Sequence, residues 1–382
     1  MPFTRDQQSS EGRWLVVQWG RAAAGPRICL ELATALKHQT DIAVSFDLDS
    51  DQTAALIALD VPTFNYRGVR RSRSLIARVQ NLLLTGARLR RFIRRNHIST
   101  VVSCMEGWPQ SVIVPFAVPR RVKYVTIIHD PSQHSGEESW LREFGRRNEL
   151  RRANSVFTMS AFTAEALSTH HGVSPTKLAT LFHPRFGDTT VSPRLHPSTV
   201  VRVGLFGRLH EYKGIDILLS AAKILRQRGL SIQAVIDGDG PEARWSTTEL
   251  GNFAEWHVGY VADERLPSVI QGYDIVALPY RDATQSGVIA LAIAAGLPVV
   301  VTPVGGLPQQ VLDTGIGIVA KDQSPEEFAA AIELLVQDAD LYERCSKSAV
   351  AAANQMTWQS FAEGLVQHDR MSKISSQHLS AT

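Results

Sequence analysis

The sequence predicts an α/β protein built from two successive parallel-sheet domains, on three observations. Short apolar runs alternate with stretches of near-helical apolar spacing along the chain. That alternation is interrupted once, by the Pro-, Ser- and Thr-rich stretch 184–198, and then begins again. Finally, 382 residues exceed what a single hydrophobic core ordinarily supports. Domains are therefore expected over residues 1–190 and 200–345, followed by a helical segment over 346–371. In that segment Trp358, Phe361 and Leu365 share a face too apolar to stand in water.

In order along the chain, RWLVVQW (Arg13 to Trp19) reads as the first strand, followed by a loop from Gly20 to Arg27 and a helix from Ile28 to Lys37. A second strand is expected from Asp41 to Phe46, then helices over 51–60 and 72–96. Ser99 to Cys104, Val122 to Asp130 and Ala153 to Ser160 complete the set, each apolar enough to lie in a parallel sheet covered on both faces. In the second half Val203, Leu205 and Phe206 form an apolar run that stops at Gly207. Ile215, Ile217, Leu218, Ala221, Ala222 and Leu225 then recur at helical spacing. The polar residues from about Ser372 onward are expected to fray.

Composition excludes some classes of function. With 44% hydrophobic and 20% charged residues the chain is an ordinary globular one, without a run of 18 apolar residues or an apolar amino-terminal leader, so neither a membrane span nor a secretory signal is expected. Cys29, Cys104 and Cys345 are odd in number, far apart in sequence and without metal-ligand spacing, and read as reduced core cysteines of a cytoplasmic protein. The net charge of +3 hides an asymmetry. Residues 1–190 hold 25 Lys or Arg against 16 Asp or Glu, and the remainder holds 15 against 21. Ten arginines lie between Arg67 and Arg95 with no acidic residue among them, interleaved with Leu, Ile, Val and Phe. Two readings stand: a surface attracted to anionic lipid on the inner face of a membrane, or a core helix with an arginine-rich polar side. Nucleic acid is a poorer partner, since no recognition motif accompanies the charge.

Arg208 and Lys213 occupy the loop between the strand that ends at Gly207 and the helix that follows. In a parallel sheet that loop opens at the carboxyl edge, where ligands bind. Two cations that cannot easily find carboxylate partners there suit a diphosphate, the arginine as a bidentate fork and the lysine as a point charge. At the end of the 122–130 strand, His129 and Asp130 reach the same kind of edge, and the carboxylate can fix the tautomer and angle of the imidazole. The alternative there is Asp130 capping a turn with His129 merely satisfied nearby. Gly20 and Gly25 flank Arg21 in the first loop, where two glycines either admit a ligand or simply make the turn.

The segment VGLFGRLHEYKGIDILLSAAKI (Val203 to Ile224) resembles the opening of the second domain of GT-B glycosyltransferases, specifically the retaining family 4. The resemblance continues in order through IDGDGP (Ile236 to Pro241), HVGYV (His257 to Val261), YDIVALPY (Tyr273 to Tyr280), SGVIALAIAAGLPVVVTPVGGLPQQV (Ser286 to Val311) and TGIGIVAKDQSPEEFAAAI (Thr314 to Ile332). It implies two Rossmann-like domains facing a central cleft, the first binding an acceptor and the second a nucleotide-diphosphate sugar. It also implies a terminal helix that crosses back toward the first domain. On it, Arg208, Lys213 and His129 become the catalytic candidates. Gly207, Gly238, Tyr260, Gln285, Ser286, Gly287 and Val288 become the donor-binding ones, and Gly20, Arg21, Gly25, Asp130 and His134 the acceptor-binding ones. Neither a metal nor a cofactor is expected: Asp237 and Asp239 flank Gly238 where the family has a glycine loop, and the two cations serve in a metal's place.

One departure stands out. Family 4 enzymes carry two glutamates separated by seven residues, the first on the donor sugar and the second on the ribose. Aligned on AAGLPVV (Ala294 to Val300), those positions hold Ala283 and Leu291. Thr284, Gln285 and Ser286 still offer hydroxyl and amide groups before a helix whose free N–H donors favour phosphate oxygens. The diphosphate clamp is thus expected to be retained and sugar recognition rebuilt. The expected activity is transfer of a sugar to a hydroxyl of an oligosaccharide or lipid-linked acceptor, in polysaccharide or cell-envelope glycan synthesis. The alternatives are a non-catalytic sugar-nucleotide-binding or partner subunit, or a sugar-nucleotide epimerase or hydrolase on the same fold.

Overall fold

A computed structural model describes residues 12–21, 24–67, 74–130, 140–187, 190–197 and 199–379. By its contacts the chain divides into two units, one of residues 1–182 with 358–382 and the other of residues 183–357.

The first unit is a seven-stranded sheet, all parallel, with the order β3-β2-β1-β4-β5-β6-β7. Its strands are β1 (Arg13–Gln18), β2 (Ile42–Asp47), β3 (Thr63–Tyr66), β4 (Ile98–Cys104), β5 (Lys123–Ile128), β6 (Ser155–Thr158) and β7 (Leu178–Thr180). Its helices are α1 (Ala24–Lys37), α2 (Thr53–Ala58), α3 (Leu75–Arg95), α4 (Gln110–Ala117), α5 (Trp140–Arg152) and α6 (Ala161–His171). Every residue of β2 and β6 is buried, as a strand covered on both faces requires. β3 and β7 are missing from the sequence reading because they are short edge strands: TFNY exposes its Asn65, and LAT buries none of its residues fully.

The second unit is a six-stranded parallel sheet ordered β10-β9-β8-β11-β12-β13. Its strands are β8 (Val201–Arg208), β9 (Ile232–Asp239), β10 (Ala254–Val258), β11 (Ile275–Leu278), β12 (Val299–Val301) and β13 (Gly317–Val319). The helices are α7 (Ile215–Gln227), α8 (Leu266–Gln271), α9 (Gly287–Ala295), α10 (Leu307–Leu312), α11 (Pro325–Gln337) and α12 (Ala339–Gln355). Register places Phe206 beside Asp237 and Ile275 beside Val203. One face packs Val203, Leu205, Ala234 and Ile236 against α7 and α11, and the other packs Val276, Leu278 and Val301 against α9.

In both sheets the strand order reverses once, between β1 and β4 in the first and between β8 and β11 in the second. At such a point the connections leave to opposite faces and open a crevice at the carboxyl edge. All three cysteines are buried and free. Cys29 and Cys104, distant in sequence, meet in the core, and hydrogen bonding to Cys29 together with burial pushes the Cys104 thiol well above its ordinary value.

The divisions fall after Phe182 and after Thr357 rather than near 190 and 346. Residues beyond Phe182 are tied to the second unit by Arg185 Nε donating to Ala353 O (2.7 Å) and Arg194 N to Ser346 Oγ (2.7 Å). Ser346 in turn donates to Gly296 O at 2.7 Å, which keeps α12 there. The chain rejoins the first unit in α13 (Trp358–Leu379). Trp358, Phe361, Ala362, Leu365 and Val366 form a buried stripe at helical spacing, α13 packs on α1, and Lys123 Nζ meets Asp369 Oδ1 at 2.8 Å. Phe361 and Leu365 alone stabilise this docking by roughly 1.5–3 kcal/mol each. Deleting the chain from Trp358 is therefore expected to raise amide exchange across α1. Unchanged protection there would show that α13 contributes nothing to the first unit.

Candidate functional site: two sheet edges

At the reversal point of the second sheet, β8 ends in Gly207 and Arg208, and the chain passes through a 3-10 turn, Glu211–Lys213, into α7. Two glycines permit this geometry. Gly238 has φ +146°, and a β-carbon there would lie 1.8 Å from Gly207 O; Gly214 has φ +63°, and a β-carbon would lie 1.8 Å from Pro279 O. The loop is thereby pressed against the end of β11. Arg281 N donates to Tyr212 O (2.7 Å), and the Arg281 guanidinium is held by Asp216 at 2.8 and 2.5 Å.

Lys213 is consequently buried, only 7% exposed. Its ammonium donates to Tyr280 Oη (2.5 Å) and lies 3.9 Å from the centroid of the Tyr280 ring and 5.2 Å from that of Tyr212. Burial lowers its pKa to about 8; Tyr212 opposes that shift and the charge of Arg208 adds to it. The two cations differ in setting. Arg208 is exposed at the last paired residue of β8, while the turn folds Lys213 back under the tyrosines.

Ser286 caps α9. Its Oγ accepts from Val288 N at 3.2 Å and lies 3.4 Å from Tyr280 Oη, while Ser286 N donates to Gln310 Oε1 at 2.9 Å. Thr284, Gln285 and Ser286 are buried beside it, and Gly287 opens the helix. A β-carbon on Gly287 would stand 3.6 Å from Nε2 of buried His183, whose Nδ1 lies 2.9 Å from Pro184 O and donates to it. Lys213, Tyr280, Ser286 and the α9 amino terminus thus converge on one corner of the sheet edge, with Arg208 alongside. The corner presents positive charge and N–H donors. Ala283, at the first of the two glutamate positions, is 4% exposed, and Leu291 packs on the core.

Of the other two donor candidates, Gly238 is paired beside Gly207, whereas Tyr260 follows the outer strand β10. Tyr260 is 73% exposed at the rim of a cavity of about 390 Å³ that Asp237, His257, Arg265 and Tyr273 also line. Asp237 is already committed there. Tyr273 Oη donates to its Oδ2 (2.6 Å), and His257 Nδ1 lies 3.0 Å from Oδ1. Asp239 accepts from Gly240 N at 2.8 Å.

At the reversal point of the first sheet the organiser is Gln110, which sequence reading missed. Its Oε1 accepts from Trp19 N (2.7 Å), and its Nε2 donates to Ser103 Oγ (2.8 Å), Met105 O (3.2 Å) and Val17 O (3.3 Å), tying the ends of β1 and β4 together. Ser103 Oγ donates to Glu149 Oε1 (2.7 Å), which also accepts from Tyr124 Oη (2.9 Å). Glu149 is fully buried and its Oε2 has no hydrogen bond of normal geometry. Burial pushes this carboxyl up to about 7; hydrogen bonding from Ser103 and Tyr124 opposes the shift, and the nearby charge of Glu106 adds to it. Glu106 holds Arg146 through two bonds of 3.0 and 2.9 Å. Neither Glu149 nor Arg146 carries a sequence signal: both stand on the buried side of a helix, WLREFGRRNELRR, too polar to reveal that side.

His129 follows the last residue of β5, and its Nδ1 lies 3.0 Å from Asp130 Oδ2. Burial lowers the imidazole pKa, but Asp130 and Glu106 outweigh it and the net shift is upward. In the first loop Gly20 N donates to Gln18 Oε1 (2.7 Å), and a β-carbon on Gly25 would meet Gln18 Nε2 at 2.4 Å, so Gly25 clears space for that side chain. Arg21 is engaged by Asp47 at 3.0 Å and Asp49 at 3.2 Å. His134 lies outside the described residues.

Comparison with known proteins places these edges in a family. Residues 27–184 match the family described as Glycosyltransferase Family 4, and residues 200–338 match Glycosyl transferases group 1. The chain is 34% identical over 182 residues to a D-inositol 3-phosphate glycosyltransferase of Segniliparus rotundus, covering 45% of this chain and 40% of that protein. A protein of the same name from Rhodococcus erythropolis is 28% identical over 260 residues, covering 62% and 58%. The chain thus spans roughly two to three fifths of the length of these curated relatives. Among solved structures, Anabaena Alr3699/HepE in complex with UDP and glucose has the same fold, with a TM-score of 0.71 at 18% identity over 94% of this chain and 100% of that one.

Proposed function

The chain belongs to the family 4 glycosyltransferases of the GT-B fold, and from that premise we propose that it moves a sugar from a nucleotide-diphosphate donor to a hydroxyl of an oligosaccharide or lipid-linked acceptor. Transfer retains the anomeric configuration, uses no metal and serves polysaccharide or cell-envelope glycan synthesis. The observation that carries this reading is Lys213, a buried ammonium whose hydrogen-bond acceptor is a neutral phenol, set beside Arg208 and a capped helix amino terminus.

An ammonium in that position keeps its full charge for an anion. As the bond from the anomeric carbon to the β-phosphate oxygen breaks, the electron pair stays on the diphosphate, and Lys213 and Arg208 neutralise the charge that develops. The α9 N–H groups and Ser286 hold the phosphate oxygens in place. In the first unit His129, backed by Asp130, hydrogen-bonds a sugar hydroxyl. Arg21, Arg146 and His129 are each already held by carboxylates, which favours a neutral hydroxyl acceptor over a phosphorylated one.

The test is incubation with UDP-, GDP-, ADP- and dTDP-sugars and candidate glycan acceptors, read by mass spectrometry of the product. Donor-dependent gain of one sugar supports the reading. Tight donor binding without transfer or donor cleavage would make the protein a binding subunit instead, and hydrolysis or epimerisation without transfer would favour the other alternative.

Membrane docking through α3 is part of the same proposal. The second half of this helix packs inward through Leu89 and Ile93, whereas Ile76, Leu83 and Leu84 in the first half are 71%, 69% and 61% exposed. Arg78, Arg88, Arg90, Arg91, Arg94 and Arg95 are exposed along it. Arg70, Arg71 and Arg73 lie outside the described residues. No helix among the described residues is long and apolar enough to cross a membrane. An apolar patch rimmed by arginines fits the surface of an anionic bilayer, each cation contributing about 1 kcal/mol near it. The protein is expected to pellet with phosphatidylglycerol vesicles and to be released as salt rises. Equal pelleting with neutral vesicles, or none with either, would refute docking.

A further inference from the structure

We propose that Tyr280 is a positioning residue of the diphosphate site, a neutral hydrogen-bond acceptor that fixes the Lys213 ammonium and keeps it charged without cancelling its charge. The inference rests on the reading of Lys213 as a phosphate ligand and adds to it a residue outside the two-glutamate pattern.

The geometry is that of a built support. Tyr280 is 2% exposed, its backbone carbonyl accepts from Thr302 Oγ1 at 2.5 Å, and its ring and hydroxyl both contact the ammonium. An ammonium has only donors, so the phenol oxygen accepts from it and its own hydrogen is left to point elsewhere, with Ser286 Oγ 3.4 Å away. Burial raises the phenol pKa, so it remains neutral at any pH at which the lysine is charged.

A carboxylate in this place would also hold the lysine, but it would offset the charge that a diphosphate needs. The positions at which the family has its glutamates are Ala283 and Leu291, and the hydrogen-bond acceptor of the lysine is the tyrosine just after β11. The charged and titratable groups that bear on Lys213 are Arg208 from β8, Tyr212 from its own turn and Tyr280 from the end of β11. Arg208 disfavours the ammonium and Tyr212 favours it, while Tyr280 adds a neutral acceptor and a ring face in direct contact with it.

Tyr280→Phe keeps the ring and removes only the acceptor. Calorimetric titration with UDP, GDP and ADP, using whichever binds best, is run between about pH 7 and 9.5, above the titration of the terminal phosphate. Wild-type affinity is expected to fall with a midpoint near Lys213's pKa of about 8. In Tyr280→Phe the midpoint is expected about one pH unit lower, the scale of a lost hydrogen bond to a charged group, with affinity at pH 8 reduced roughly five- to tenfold. Lys213→Ala is expected to bind weakly without this midpoint.

If Tyr280→Phe superimposes on wild type, or loses affinity equally at every pH, Tyr280 does not position the ammonium and the proposal falls. If instead Lys213→Ala binds as wild type does, the phosphate-ligand reading itself has failed. Should Tyr280→Phe not fold, the Lys213 ammonium resonance of the labelled wild-type protein decides. A nuclear Overhauser contact to the Tyr280 ring and slow ammonium exchange are expected, and their absence overturns the proposal.

Discussion

Replacing Lys213 with alanine is expected to lower turnover at least about a hundredfold while leaving the fold intact, the scale for removing one preorganised donor at a site of developing charge. The size follows from burial. Lys213 is 7% exposed and held against two tyrosine rings, so its field is screened little by water and costs no reorganisation as charge develops. Arg208→Ala acts on the same charge from an exposed position, and its effect is expected in the same direction but smaller. Single-turnover rates of variants whose melting temperatures match wild type check this. Wild-type rates in a folded Lys213→Ala protein would sink the mechanism.

The second large effect is on stability, at Glu149. Its carboxyl is pushed up to about 7 in the folded protein, from an ordinary value of 4.5. Between those two values the native state binds a proton that the unfolded chain does not, so stability falls as pH rises through this window. The total is roughly 3 kcal/mol. Glu149→Gln preserves an acceptor for Ser103 and Tyr124 and removes the titration. Between pH 4.5 and 8, urea unfolding should show wild type losing up to about 3 kcal/mol more than the variant. Identical pH dependence of the two proteins would mean that the Glu149 carboxyl is not raised in the folded state and is ionised across this range in both states.

These two residues mark where sequence reading succeeds and where it stops. Lys213 was legible because a short apolar run, a glycine and a helical repeat place it at a strand end, and because motifs in fixed order frame it. The strands with continuous apolar character, such as Val101 to Cys104 and Val203 to Phe206, were legible for the same reason. Edge strands β3 and β7 were not, since a half-exposed strand of three or four residues resembles a loop. Glu149, Arg146 and Gln110 were also hidden. Their burial depends on partners 5 to 93 residues distant that no local period reports.

Tyr280 entered only as the last residue of the YDIVALPY segment, and only the fold shows the Lys213 turn pressed against the end of β11 at Gly214, with the ammonium on that tyrosine. The differing exposure of Arg208 and Lys213 was likewise invisible in the spacing R-x4-K, because the turn and not the sequence distance decides which cation is covered.

The central claim is that the corner formed by Lys213, Arg208 and the α9 amino terminus takes a diphosphate. Calorimetric titration of the wild-type protein and Lys213→Ala with matched nucleoside mono- and diphosphates tests it most directly. The account predicts that the diphosphate of the preferred base binds wild type at least about tenfold more tightly than the monophosphate, the scale of one charge-assisted contact, and that Lys213→Ala largely erases the difference. Equal affinity of wild type for the mono- and diphosphate of every base, or an undiminished preference in Lys213→Ala, would contradict it.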